Sequence, residues 1–156
     1  MSPEELKTLG RRITDELFNQ GDLTVADELF DPHYSEHICA WPDCGTGREG
    51  VKQLVTHLRR AFPDLHSRIV DQIAEGDKLV QRVTISGTHQ GRAFMGTPAT
   101  GTSTTINVLG ILRVGPHGKV REGWTFLNQP DRTSAQTATS REPMAPGEPR
   151  PALQRQ

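Results

Sequence analysis

A carboxylate set among apolar side chains is a ready acid/base group, because desolvation raises its pKa toward neutrality. Glu122 fits that description. It alternates with Val120, Trp124 and Phe126, and alternate residues of a strand share a face. If that face lines a pocket, Glu122 is a general base; otherwise it is a rim carboxylate or half of a structural ion pair. His37 and His89 are the other candidates, since imidazole titrates near neutrality. Each is either an acid/base group or a hydrogen-bonded structural residue. Asn107 is an amide within an apolar strand. Burial would oblige it to bond a neighbour or to orient a ligand. Trp124 reads as pocket wall or plain core. Phe94 and Met95 read as an apolar lid or as packing under a loop. Trp41 and Asn128 complete the candidate substrate contacts.

His33, His37, Cys39 and Cys44 form a second constellation of nitrogen and thiolate donors. Their spacings match no zinc motif, and no second pair of cysteines follows. No metal site is therefore assigned. The sequence also lacks a Walker loop, a dinucleotide fingerprint and a nucleophile elbow.

These residues need elements to position them. Ser2, Pro3 and Glu5 carry the signature of a helix start, with a capping box. Leu6, Leu9, Ile13 and Leu17 then share one helical face, and Gly21 ends the run. A second short helix carries Val25, Ala26, Leu29 and Phe30 and closes at Pro32. Residues 33–47 read as irregular and as a cap over the pocket. Val51, Leu54, Val55, Leu58 and Phe62 define a third helix, stopped by Pro63. Its basic residues read as a solvated face.

After Pro63 the period changes to two. Strands are expected at about 65–70, 79–89, 102–114 and 119–128, with turns at Glu75-Gly76-Asp77 and Gly115-Pro116-His117-Gly118. A glycine-rich loop joins the middle pair. Helices followed by a meander predict an α+β domain: a curved antiparallel sheet with N-terminal helices forming a cone around a pocket.

The chain has 156 residues, 18 basic and 19 acidic side chains and a net charge of -1. That balance supplies no basic field for nucleic acid. No apolar run is long enough to span a membrane, and no signal-peptide core opens the chain; cytoplasmic residence is the expectation. Two cysteines are too few for a disulfide scaffold. After Phe126 no aromatic residue occurs, and Pro, Ala, Ser, Thr, Gln, Arg and Glu dominate. Residues 1–130 are expected to form the domain and residues 131–156 a disordered tail.

The ordered motifs resemble those of the SnoaL-like polyketide cyclase family. They are Val25-Ala26-Asp27-Glu28-Leu29-Phe30, Tyr34 and His37, Gly50-Val51-Lys52, and Ala61-Phe62-Pro63-Asp64-Leu65. Ala74-Glu75-Gly76-Asp77, Ser86-Gly87-Thr88-His89 and Phe94-Met95-Gly96-Thr97-Pro98-Ala99-Thr100-Gly101 follow. Gly118-Lys119-Val120, Glu122 and Trp124 complete the set. The resemblance implies the nuclear-transport-factor-2-like cone and aldol ring closure of a polyketide ester, without metal or organic cofactor. It also implies a homodimer. Val80 and Val108 are expected on its outer sheet face. Glu122 matches a position that the family keeps acidic. The family often has His immediately before the Trp and acidic residues shortly after it, where this chain has Gly123, Thr125 and Asn128.

The expected function is a cofactor-independent cyclase acting on a small apolar carbonyl compound. A non-catalytic ligand-binding module and a hydrolase or isomerase on the same cone are the alternatives.

Overall fold

The computed structural model describes residues 1–38, 46–94 and 96–128, with Asn128 described by its backbone alone. The expected tail and the residues Cys39, Trp41, Cys44 and Met95 lie outside the described residues.

Helix α1 (Pro3–Arg12) starts as its sequence predicts. The Ser2 amide donates to Glu5 Oε2 at 2.6 Å, and the Glu5 amide donates to Ser2 Oγ at 3.2 Å. It runs on as a π-helical segment, Ile13–Asn19, followed by α2 (Thr24–Leu29) and α3 (Gly47–Ala61). The apolar faces converge: Leu6, Leu9, Ile13 and Leu17 pack with Val25, Val55, Leu79 and Val120. Gly10 permits the closest approach of α1 to the sheet. A Cβ there would lie 2.6 Å from both Gln81 Oε1 and Leu79 Cδ2.

Five strands form one sheet: β1 (Phe30–Ile38), β2 (His66–Glu75), β3 (Lys78–Thr88), β4 (Ser103–Val114) and β5 (Val120–Asn128), in the order β1-β5-β4-β3-β2. The expected α+β architecture is present, with one addition. Residues 30–38, expected as the end of a helix and the start of an irregular segment, form an edge strand parallel to β5. Pro32 hid that strand, yet an edge strand tolerates proline because its outward amide needs no ladder partner. The sheet is thus mixed, with an antiparallel meander from β2 to β5.

Four register shifts curve it among the described residues, two of them in the β1–β5 pair. On β5, Val120 faces Val114 and Glu122 faces Arg113, so Arg121 is an extra residue. On β2 the shift lies between Ile69 and Asp71. A bulge bends its strand and reverses the inward alternation beyond it. Val120 is buried in the core, but beyond Arg121 the inward residues are Gly123, Thr125 and Leu127. Val108 also turns inward, and its neighbour Leu109 takes the outer position expected for it.

The glycine-rich loop is tied to the end of α3. The Gly91 amide donates to the Ala61 carbonyl at 3.0 Å, and the Arg92 amide to the Arg60 carbonyl at 3.2 Å. These bonds satisfy helix-terminal carbonyls that otherwise lack partners. A Cβ on Gly91 would collide with the Arg60 carbonyl oxygen. Gly91→Ala is therefore expected to destabilise the protein by about 2 kcal/mol, roughly a 5 °C fall in Tm. A melting curve superimposable on that of the parent would show that the loop docks differently.

Candidate active site

The sheet and helices enclose a cavity of about 120 Å³, lined by residues from the π-helical segment, α3 and all five strands. A cavity of ~150 Å³ accommodates benzene, whereas drug-sized ligands occupy ~300–1,000 Å³. This cavity therefore fits a group about one ring in size. Most of its wall is apolar: Ile13, Phe18, Phe30, Val51, Leu54 and Val83 among others. Its polar groups are Thr14, Tyr34, Glu36, Ser67, Gln81 and Thr125.

Glu36 is the carboxylate of this cavity. Tyr34 and Glu36 are two apart on β1, so the pleat turns both inward. The Tyr34 hydroxyl donates to Glu36 Oε2 at 2.5 Å. Burial pushes the Glu36 carboxyl above its ordinary range, and the Tyr34 and Thr125 groups offset part of that rise. Thr125 lies beside the carboxylate, but Glu36 Oε1 is buried with no partner of normal hydrogen-bond geometry among the described residues. Burial foremost, then the charge of Glu36, pushes the Tyr34 phenol far up. The phenol accordingly stays protonated and remains a donor. Gly123 leaves room for the pair. A Cβ there would collide with the Tyr34 hydroxyl and lie 2.9 Å from Glu36 Oε2.

The residues singled out from sequence occupy other places. Glu122 does not line this cavity. The bulge at Arg121 breaks the face it was expected to share with Val120, and its carboxylate lies on the outer side of β5. There Glu122 Oε2 is 3.5 Å from His37 Nε2 and 3.7 Å from Arg113 Nη1. The His37 ring stacks on Trp124 with centroids 4.7 Å apart. His37, Glu122 and Trp124 are thus brought together, but outside the cone.

Asn107 is exposed and its Oδ1 accepts from the Thr84 hydroxyl at 3.2 Å. His89 is buried in the loop. Its Nε2 lies 2.9 Å from the Arg92 carbonyl, and its ring stacks on Phe62. Phe94 packs edge-on against Phe62 with centroids 5.5 Å apart. It borders a small apolar recess with Leu58, Leu65 and Ile106. Trp41, Met95 and the Asn128 side chain lie outside the described residues, as do both cysteines of the His33 and His37 constellation.

Sequence reading missed Glu36, Ser67 and Gln81 as site residues and noted Tyr34 only as part of a motif. One signal was available: Phe30, Tyr34 and Glu36 fall on alternate positions of what proves to be a strand.

A sequence model of the SnoaL-like polyketide cyclase family matches residues 8–133. The chain belongs to that family, with its nuclear-transport-factor-2-like α+β fold. TsrD from Streptomyces laurentii is similar in structure, with a TM-score of 0.73 and 23% identity over 82% of this chain and 91% of its own. AclR, a proposed hydroxylase from Streptomyces galilaeus, has a TM-score of 0.68 and 29% identity over 81% of this chain and 77% of its own. IdmH, a proposed polyketide cyclase from Streptomyces antibioticus, has a TM-score of 0.66 and 28% identity over 79% of this chain and 91% of its own. The comparison with curated proteins gave no match. Among the described residues, no helix is long and apolar enough to cross a membrane.

The raised carboxyl of Glu36 has a consequence for stability. Its folded pKa exceeds its unfolded value, so the folded state holds the proton to higher pH than the unfolded chain does. The stability associated with this group is full below the unfolded value of ~4.3 and is lost as pH rises through the raised value. Glu36→Gln is therefore expected to gain in Tm relative to the parent across that rise, and to lose the relative gain below about pH 4. Parallel melting curves across pH test this. A difference independent of pH would mean that Glu36 is not shifted.

Proposed function

We propose that this protein is a cofactor-independent cyclase of polyketide type, in which Glu36 is the acid/base group. The single observation that carries this reading is a carboxylate with a raised pKa, set in an apolar cavity and held by a protonated phenol. Aldol ring closure needs a base that removes a proton beside a carbonyl, then an acid that protonates the new alkoxide. One carboxyl group can do both in turn. As carboxylate, Glu36 takes the α-proton; as carboxylic acid, it returns a proton to the alkoxide oxygen. The Tyr34 hydroxyl holds Oε2, which leaves Oε1 directed at the substrate. The substrate expected is a small, largely apolar carbonyl compound, or the ring-sized reacting end of a larger one.

Position supports the same reading. Thr125 and Gly123 stand where relatives often carry acidic and histidine residues, and both face the cavity here. Glu36 reaches the space they leave, from the neighbouring strand. The catalytic carboxylate has thus moved from β5 to β1 in this proposal.

A short acyclic diketone able to close to a six-membered ring is a suitable probe, followed by mass and ring-proton spectra. Glu36→Gln is expected to lower its turnover by about a hundredfold or more while binding survives. Glu122→Gln is expected to keep most of the turnover. The reverse pattern would move the base to the outer cluster of Glu122 and His37. Unchanged probe with the parent protein, despite measurable binding, would favour the non-catalytic binding module.

A homodimer belongs to the same proposal. Ile73, Leu109 and Phe126 on the outer sheet face are 66%, 42% and 41% exposed. A patch of that kind marks an interaction surface, and a second copy is the commonest cover. Light scattering should give twice the chain mass, and Leu109→Glu should give a monomer. A monomeric parent at working concentration rejects the pairing.

A further inference from the structure

The cavity holds a second buried polar atom with no partner. Ser67 is 3% exposed, and its Oγ has no hydrogen bond among the described residues. It lines the same cavity as Glu36. β1 and β2 are the two edges of the sheet, and the curl of the sheet brings both edges round to one space. A buried hydroxyl without a partner costs free energy that folding does not recover. Such a group fits a ligand rather than a core.

The other cavity-lining hydroxyl protons are engaged. The Thr14 hydroxyl donates to the Gly10 carbonyl at 3.1 Å, and the Tyr34 proton goes to Glu36. Thr125 is already turned to the carboxylate. Ser67 is left with a proton to give.

Its position is fixed from outside the cavity. The Ser67 amide donates to Asn19 Oδ1 at 2.6 Å, and Asn19 Nδ2 donates to the Ser67 carbonyl at 2.8 Å. One side-chain amide thus replaces the strand that β2 lacks on its open edge. Asn19 ends the π-helical segment, and Arg59 Nη1 donates to the Phe18 carbonyl at 3.0 Å. The backbone of Ser67 is clamped, while its hydroxyl has no hydrogen bond among the described residues.

We propose that Ser67 donates a hydrogen bond to the carbonyl oxygen of the substrate and to the enolate oxygen that replaces it, opposite the carboxylate of Glu36. The proposal rests on the reading of Glu36 as base. In the step itself, the α C–H bond breaks and the proton bonds to Glu36 Oε1. The electron pair moves through the new C=C bond to the oxygen held by Ser67. The ligand class follows: a ketone or ketone-bearing ring whose oxygen and acidic carbon are adjacent, with a body no larger than about one ring.

Acetophenone has that size and chemistry. Its binding is measured by calorimetry, and its α-proton exchange in deuterated water by NMR. Ser67→Ala is expected to slow enzyme-dependent exchange by about a hundredfold and to weaken acetophenone binding by the smaller factor of about tenfold or a little more. Its Tm should equal or exceed that of the parent, because an unsatisfied hydroxyl has been removed; a structural role would lower it. Ser67→Thr should restore part of the exchange.

Exchange unchanged in Ser67→Ala, but lost in Glu36→Gln, overturns the Ser67 assignment and leaves the Glu36 reading standing. If the parent does not accelerate exchange, or Glu36→Gln keeps it, the base assignment falls. Ser67 is then judged on binding alone. A tenfold or greater loss of acetophenone affinity in Ser67→Ala supports the hydrogen bond, and a smaller change overturns it. Failure of the parent to bind acetophenone also overturns it.

Discussion

At Arg121 two residues of β5 stand against one of β4, and the interior of the cone depends on that extra residue. Before it, Val120 is sealed in the core; after it, Thr125 lines the cavity and Gly123 faces the Tyr34 and Glu36 side chains, while Glu122 and Trp124 face out. The inward glycine has no side chain, so the space beside it is free for the Tyr34 hydroxyl and Glu36. With regular alternation, Glu122 and Trp124 would have filled that space. That bulge therefore decides which residues of β5 turn inward, and it keeps Glu122 out of the cavity.

The polar groups of the cavity carry a cost in stability. Glu36 Oε1 and Ser67 Oγ are both buried without hydrogen-bond partners among the described residues, in a wall that is otherwise mostly apolar. Each lowers stability relative to a satisfied or apolar substitute. The packed core adjoins the cavity, since Ile13, Phe30, Tyr34 and Leu112 belong to both, and its remaining residues, among them Leu6, Leu17, Leu79 and Val120, offset the cost. Local violations of packing rules at a site, offset elsewhere, are common where a protein handles a ligand. The π-helical segment fits this pattern, since Ile13, Thr14 and Phe18 line the cavity from it.

The outer sheet face carries a different set of charges. Asp77 holds Arg113 at 2.8 Å, Arg113 reaches Glu122, and Glu122 reaches His37 on the face of Trp124. These groups are a third to a half exposed, so each pair contributes little alone. Their effect is to fix the side chains beside the apolar patch of Leu109 and Phe126.

The sequence by itself determined the helices, the meander and the family. Capping at Ser2 and Glu5, the helical period of Leu6 to Leu17 and the turns at Gly76 and Gly118 are local signals, and local sterics suffice to read them. The motif order around Gly87, Gly96 and Trp124 added the cone. The site was legible only in outline: an apolar cavity and one carboxylate. Which carboxylate was not legible, because alternation along residues 120–126 assumes an unbroken pleat, and nothing local marks Arg121 as a bulge. Nor could β1 be read as a strand, since its hydrogen bonds go to β5, some ninety residues further along the chain. Only the closed sheet brings Tyr34, Glu36, Gly123 and Ser67 to one space. That neighbourhood is set by long-range pairing and curl, which no window of sequence contains.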